Sequence, residues 1–249
     1  MYFIIFDLEF NQDVASLQNF DGKGSPYPFE IIQIGAIKLD LEFNTVGTFN
    51  RYVKPTFYTR INPFVTDLTG ITTEQLLPEE PFPEIYKAYS AFIKERDSIF
   101  CTWGMSDITE LFRNVEAHEL SHGFLPKRVI NIQPYVSTHF NLSQKTLLRL
   151  QHAVELLHIP ITNAFHNALH DAFYTAEIFK KVYSSSIQAK PYDPSHRTIR
   201  AKRPTMVIDT DKLLQQFEKM YARKITQEEE EMIKLAYKMG RTNQFLKDE

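Results

Sequence analysis

Residues 3–10 read FIIFDLEF, an unbroken apolar run that ends in two acids one residue apart, Asp7 and Glu9. Side chains alternate along a strand, so residues i and i+2 share one face. On a strand the two carboxylates therefore point the same way, about 7 Å apart by the strand rise. Like charges held that close raise each other's pKa and destabilise the strand end unless a cation sits between them. Any fold for this chain has to bring something to that acidic face.

The pattern around the pair predicts the scaffold. FIIFDLEF, EIIQIGAIKLDL from Glu30, and TFNRYVKP ending at Pro55 read as three strands. The first two are separated by QDVASLQNFDGKGSPYPF, whose Gly, Pro, Ser, Asn and Asp content predicts an exposed loop. An antiparallel meander follows from this. In PEIYKAYSAFIKER, Ile85, Tyr86, Tyr89, Phe92 and Ile93 recur at helical spacing. SIFCTW reads as a buried strand, SDITELFRNVEAHEL as a helix capped by Ser106, and RVINIQPY as another strand. QKTLLRLQHAVELL and NALHDAFYTAEIFKKVY read as helices. This order predicts an α/β fold with a mixed five-stranded sheet flanked by helices.

The chain has 249 residues, 43% of them hydrophobic and 24% charged, enough for one large domain and an extension. The first domain is placed at 1–185, a basic linker at 186–209 and a two-helix C-terminal extension at 210–249. The linker carries Arg197, Arg200, Lys202 and Arg203 and reads as solvated chain, with phosphate contact as the alternative. In the extension, Leu213, Leu214, Phe217, Met220 and Tyr221 form one stripe, and Thr226 with Glu229 makes a capping box. The stripe is expected to dock on the first domain rather than on a protein partner, for which the sequence offers no support.

Residues 186–249 hold 13 basic and 10 acidic residues, which leaves 15 and 21, a net −6, in the first 185. That balance argues against a tight non-specific nucleic-acid binder but leaves open an enzyme whose acids are neutralised by bound cations. A single cysteine, Cys101, excludes an internal disulfide and suits a reducing, cytoplasmic setting. No segment resembles a signal peptide or a membrane span, so no membrane partner is expected.

Two further acids stand at element ends. Asp107 follows the Trp103-Gly104 turn and opens a helix; Asp171 lies early in another, five residues after His166. Five residues along a helix diverge in angle, which places His166 in the preceding turn, folded back toward Asp171. A histidine there can take a proton from water near neutral pH. Oxygen ligands of this number suit two divalent cations, Mg²⁺ or Mn²⁺. Cys101 and Trp103 read as packing residues. His118 and His122 lack the glutamate of a zinc helix and read as a solvated helix face.

DLEF, the WG-x-x-D stretch and H-x-x-x-x-D, in this order, resemble the three motifs of the DEDDh exonuclease family. That family includes the proofreading subunit of bacterial replicative polymerase, ribonuclease T and oligoribonuclease. EIIQIGAIKLD and NPFVTDLTGITTEQL also resemble its second strand and the segment after it, so the likeness spans about 1–183. The pattern is most similar to the KapD-like and histone-mRNA-exonuclease-like branch. The resemblance implies an RNase H-like fold that removes nucleotides from single-stranded 3′ ends with two divalent metals. It assigns Asp7, Glu9, Asp107 and Asp171 to metal binding, Asp107 helping from the second motif, often through water, with Glu9 also counted as catalytic. It makes His166, rather than His170, the general base. Leu8 and Phe10 would contact substrate, Phe10 by stacking on the terminal base. RNA is slightly favoured. The alternatives are a DNA proofreading or repair exonuclease and a non-catalytic nucleic-acid binder with the same fold.

Overall fold

A computed structural model describes residues 1–12, 29–94, 97–143, 145–195 and 209–240. Most of the loop expected at 12–29, and all four basic residues of the arm, lie outside the described residues. The described elements are β1 (Tyr2–Asn11), β2 (Glu30–Leu39), β3 (Thr45–Tyr52), α1 (Pro63–Thr69), α2 (Thr73–Leu76) and α3 (Phe82–Ile93). There follow β4 (Ser98–Thr102), α4 (Ser106–Ala117), β5 (Arg128–Asn131), α5 (Gln133–His139), α6 (Leu150–Leu156) and α7 (Ala168–Val182). β6 (Lys190–Pro191), α8 (Thr210–Tyr221) and α9 (Gln227–Gly240) complete the set.

The strands form one mixed sheet in the order β3-β2-β1-β4-β5-β6. β1 pairs antiparallel with β2 and parallel with β4, and β4 runs parallel to β5. All ten residues of β2 are buried, so its apolar run is nearly continuous rather than alternating. β1 divides its side chains by parity. Ile4, Phe6 and Leu8 enter one core with α3 and α4, while Phe3 and Ile5 enter a second core with α7. Asp7 and Glu9 continue the odd-numbered series, on the α7 side.

Among the described residues the sheet has six strands, not five. Lys190–Pro191 pairs antiparallel with Arg128 and Val129 inside the segment read as a linker. A two-residue edge strand containing a proline leaves no hydrophobic period to read. Contacts accordingly divide the chain into Met1–His196 and Arg197–Glu249. Helices α1, α2 and α5 also lay outside the sequence expectation. Asn62 caps α1 by accepting the Phe64 N–H at 3.0 Å. The helix expected from 144 begins only at Leu150. Gln133 Nε2 donates to Leu148 O at 2.8 Å, and Ser137 Oγ donates to Thr146 O, which keeps the preceding chain out of the helix. Met105, not Ser106, is the N-cap of α4. His118 is not on a solvated face: its ring packs between Phe57 and Phe82, with centroids 4.6 and 4.9 Å away.

In the second unit, Asp209 caps α8 by accepting the Lys212 N–H at 2.9 Å. The expected box opens α9, with Thr226 N–H donating to Glu229 Oε2 at 2.9 Å and Glu229 N–H returning to Thr226 Oγ1 at 3.3 Å. Among the described residues, no helix is long and apolar enough to cross a membrane.

Candidate active site

Three elements converge beyond the middle of β1. The strand supplies Asp7 and Glu9, the first turn of α4 supplies Asp107, and the first turn of α7 supplies Asp171. Asp7, Glu9 and Asp171 each place a carboxylate oxygen within 4.8 Å of the other two. Glu9, Asp107 and Asp171 are only 9%, 7% and 8% exposed. Asp107 stands outside the three-carboxylate group but is close enough to raise the pKa of both Asp7 and Glu9.

The electrostatics follow from burial and crowding. Desolvation, then the charges of Asp171 and Asp107, push Glu9 up to about 8. Burial pushes Asp107 up to about 7, although backbone N–H groups of its own residue and Leu8 hold it down. Asp171 rises to about 6, again chiefly by burial, opposed by the His166 backbone and the His166 and His170 rings. Asp7 lies well above its ordinary value for the same first reason, with Asp107, Glu9 and Asp171 adding to it. Asp171 Oδ1 is buried without a hydrogen-bond partner. Left alone, such a set takes up protons. A divalent cation with a preference for oxygen ligands removes both the repulsion and the orphaned oxygen.

His166 occupies the turn before α7, as its spacing from Asp171 required. Its backbone is left-handed, with φ 62°, an uncommon conformation outside glycine. In that conformation its N–H donates to Asp171 Oδ2 at 3.1 Å. The imidazole is exposed. The His170 Nδ1 lies 3.0 Å from Ala164 O, which ties that ring back to the turn. Leu8 is buried in the α3–α4 core, whereas Phe10 is half-buried at its edge. Trp103 packs against the α7 core as expected.

Two residues near the acids escaped the sequence reading. Gly35 is the register partner of Asp7, and Gln33 is the partner of Glu9. A Cβ on Gly35 would stand 2.1 Å from Ala168 C and Leu169 N, so glycine is what lets the start of α7 lie on the sheet. Both were legible in principle, because a lone glycine inside a strand marks close backbone approach and a glutamine in an apolar run needs a partner.

The family model RNase_T, described as Exonuclease, matches residues 4–179. The chain is 28% identical over 182 residues to the probable 3′-5′ exonuclease KapD of Bacillus subtilis (strain 168), covering 72% of this chain and 83% of that one. It is 24% identical over 168 residues to the 3′-5′ exoribonuclease 1 of Mus musculus, covering 63% of this chain but 48% of the mouse protein. The nuclease domain of 3′hExo, a DEDDh family member bound to rAMP, superposes with a TM-score of 0.65 at 21% identity. That match covers 77% of this chain and 97% of the other and shows the shared RNase H-like fold. With the family model spanning most of its length, the chain belongs to the RNase T exonuclease family and is a 3′–5′ exonuclease.

Proposed function

We propose that the protein removes nucleotides stepwise from the 3′ end of single-stranded nucleic acid with two divalent cations, and that RNA is slightly favoured over DNA. The observation that carries this reading is the gathering of Asp7, Glu9 and Asp171 oxygens within 4.8 Å, with Asp171 Oδ1 buried and unpartnered. These three carboxylates hold the cations, and Asp107 adds negative charge beside them. Mg²⁺ or Mn²⁺ bound there would activate water and neutralise charge developing on the scissile phosphate.

The remaining work falls to the chain's own side chains. His166 presents an exposed imidazole from a turn whose N–H already holds Asp171, so its ring is free to accept the proton of the attacking water. Phe10, directly after the acid pair, offers a ring for the terminal base; Leu8, 3% exposed in the α3–α4 core, is withdrawn as a substrate contact because its side chain is buried. RNA is supported by likeness to an exoribonuclease and to a nuclease domain solved with rAMP. DNA draws support from the 31% identity over 116 residues to a PolC-type DNA polymerase III of Streptococcus pyogenes, of which the chain covers 8%.

A digest of 3′- and 5′-end-labelled single-stranded RNA and DNA 20-mers tests the proposal, run with Mg²⁺, Mn²⁺ or EDTA and with Asp7→Ala. Stepwise loss from the 3′ end that EDTA and Asp7→Ala both abolish is the expected result. The RNA-to-DNA rate ratio then ranks the two substrates. Intact binding with no digestion under any metal would make the protein a non-catalytic binder.

A further inference from the structure

We infer that Gln33 is a positioning residue: its side chain latches the start of α7, and with it Asp171 and His166, against Asp7 and Glu9. The consequence for catalysis rests on the exonuclease reading, whereas the geometry does not.

A helix start leaves its first N–H groups without intrahelical partners. In α7, Asn167 Oδ1 accepts from Leu169 at 3.2 Å and from His170 at 3.4 Å, and the Asp171 N–H joins the ladder at Asn167 O. The Ala168 N–H is left over. It donates to Gln33 Oε1 at 3.2 Å, across 135 residues of sequence. Gln33 is fully buried, so the sheet itself supplies the last part of the helix cap.

The amide is also oriented. Gln33 Nε2 donates to Asn50 Oδ1 at 2.9 Å, which turns the amide oxygen toward Ala168. Asn50 lies on β3 opposite Gly35. Residues directly opposite one another in an antiparallel pair share a face. Two rows therefore cross the sheet on the acid-bearing face, Asp7–Gly35–Asn50 and Glu9–Gln33–Tyr52. The bare backbone of Gly35 receives the helix start, and Gln33 beside it fastens the first peptide of the helix. Asp171 follows one turn later on the same helix, so slack at Ala168 moves its carboxylate relative to Asp7 and Glu9.

The test uses the full chain with Gln33→Met, which keeps the volume and removes the amide, together with Asn50→Ala and Asn50→Asp. Four readouts are taken: Mn²⁺ affinity by calorimetry, kcat and KM on a 3′-labelled RNA 20-mer, thermal unfolding, and hydrogen exchange of the Ala168 amide. Groups that orient metal ligands typically change affinity or activity by about 10–100-fold. Gln33→Met should weaken Mn²⁺ binding and lower kcat within that range, leave KM within about twofold, and speed exchange at Ala168. Asn50→Ala should do the same more weakly, and Asn50→Asp, which keeps the acceptor, should restore near-wild-type behaviour.

Mn²⁺ affinity and kcat unchanged in Gln33→Met would overturn the proposal, as would a kcat loss explained entirely by unfolded protein. If Gln33→Met does not fold, unchanged Mn²⁺ affinity in Asn50→Ala, at an exposed edge position, overturns it instead. Wild-type protein that neither binds Mn²⁺ nor cuts RNA sets aside the exonuclease reading separately. The latch then stands or falls on whether Ala168 exchanges faster in the variants than in the wild type.

Discussion

Two buried acidic regions flank the far end of β1 and β2, and they are built by opposite rules. Glu30 is 2% exposed, and its carboxylate accepts the N–H groups of Thr56, Phe57 and Tyr58, the last two at 2.8 Å. Its register partner Asn11 donates to Tyr58 O and Arg60 O and accepts from the Asn62 N–H at 3.0 Å. Both Glu30 oxygens are satisfied by the protein. Two residues back along β1, Asp7, Glu9 and Asp171 face one another, and Asp171 Oδ1 has no donor. A carboxylate buried for structure is given N–H groups. Carboxylates left to repel one another are held for a partner from outside.

That contrast breaks if the acids prove structural. Asp7→Asn should lower the rate of 3′ digestion on the order of 10³-fold or more, since a ligand of both chemistry and charge is lost. Metal-free thermal stability should stay level or rise, because one repelling charge is gone. A large fall in stability would place Asp7 in the same class as Glu30. His166→Asn should cost about 10²–10³ in kcat, the scale of lost general-base catalysis, while Mn²⁺ affinity holds because asparagine tolerates the left-handed backbone whose N–H bonds Asp171. Glu30→Ala should show the reverse pattern. Loss of a buried, fully bonded carboxylate costs about 3 kcal/mol, readable by urea unfolding, with kcat of the folded fraction little changed.

The smaller effects sharpen the difference. Phe10→Ala should raise KM for a single-stranded 20-mer about tenfold, as expected for one lost base-stacking contact. An unchanged KM would remove Phe10 from the substrate site. The pH response separates the regions again. Site carboxyls whose folded values rise to about 6, 7 and 8 bind more protons when folded than when unfolded. Metal-free stability should therefore fall as pH climbs from about 4, near the unfolded values, to about 8, and level off above. Mn²⁺ should raise Tm more at pH 8 than at pH 5, since it competes with those protons. An equal gain at both pH values would mean that the cation binds elsewhere.

The residues that were legible in the sequence share a local signature. Asp7 and Glu9 stand out because period-2 alternation fixes their common face without any partner being known. Asp107 and Asp171 stand at helix starts that composition marks, and the five-residue gap puts His166 in a turn. What stayed hidden depends on distant partners. Glu30, Asn11 and Gln33 look like interruptions of apolar strands until 56–62, 50 and 168 are brought to them. Residues 145–149 carry helical spacing but are held out of a helix by side chains of α5. β6 exists only because β5 offers it an edge.

The left-handed turn at His166 divides that residue's work between two parts. Its backbone N–H steadies Asp171, and any amino acid tolerant of positive φ preserves that bond. Its ring alone is left for the proposed proton transfer. Glycine or asparagine at 166 should therefore yield a protein that still loads its cations and grips its 3′ end but turns over slowly. Such a variant is a substrate trap: cross-linked to RNA and DNA in the cell of origin, it would retain the ends that the active enzyme consumes.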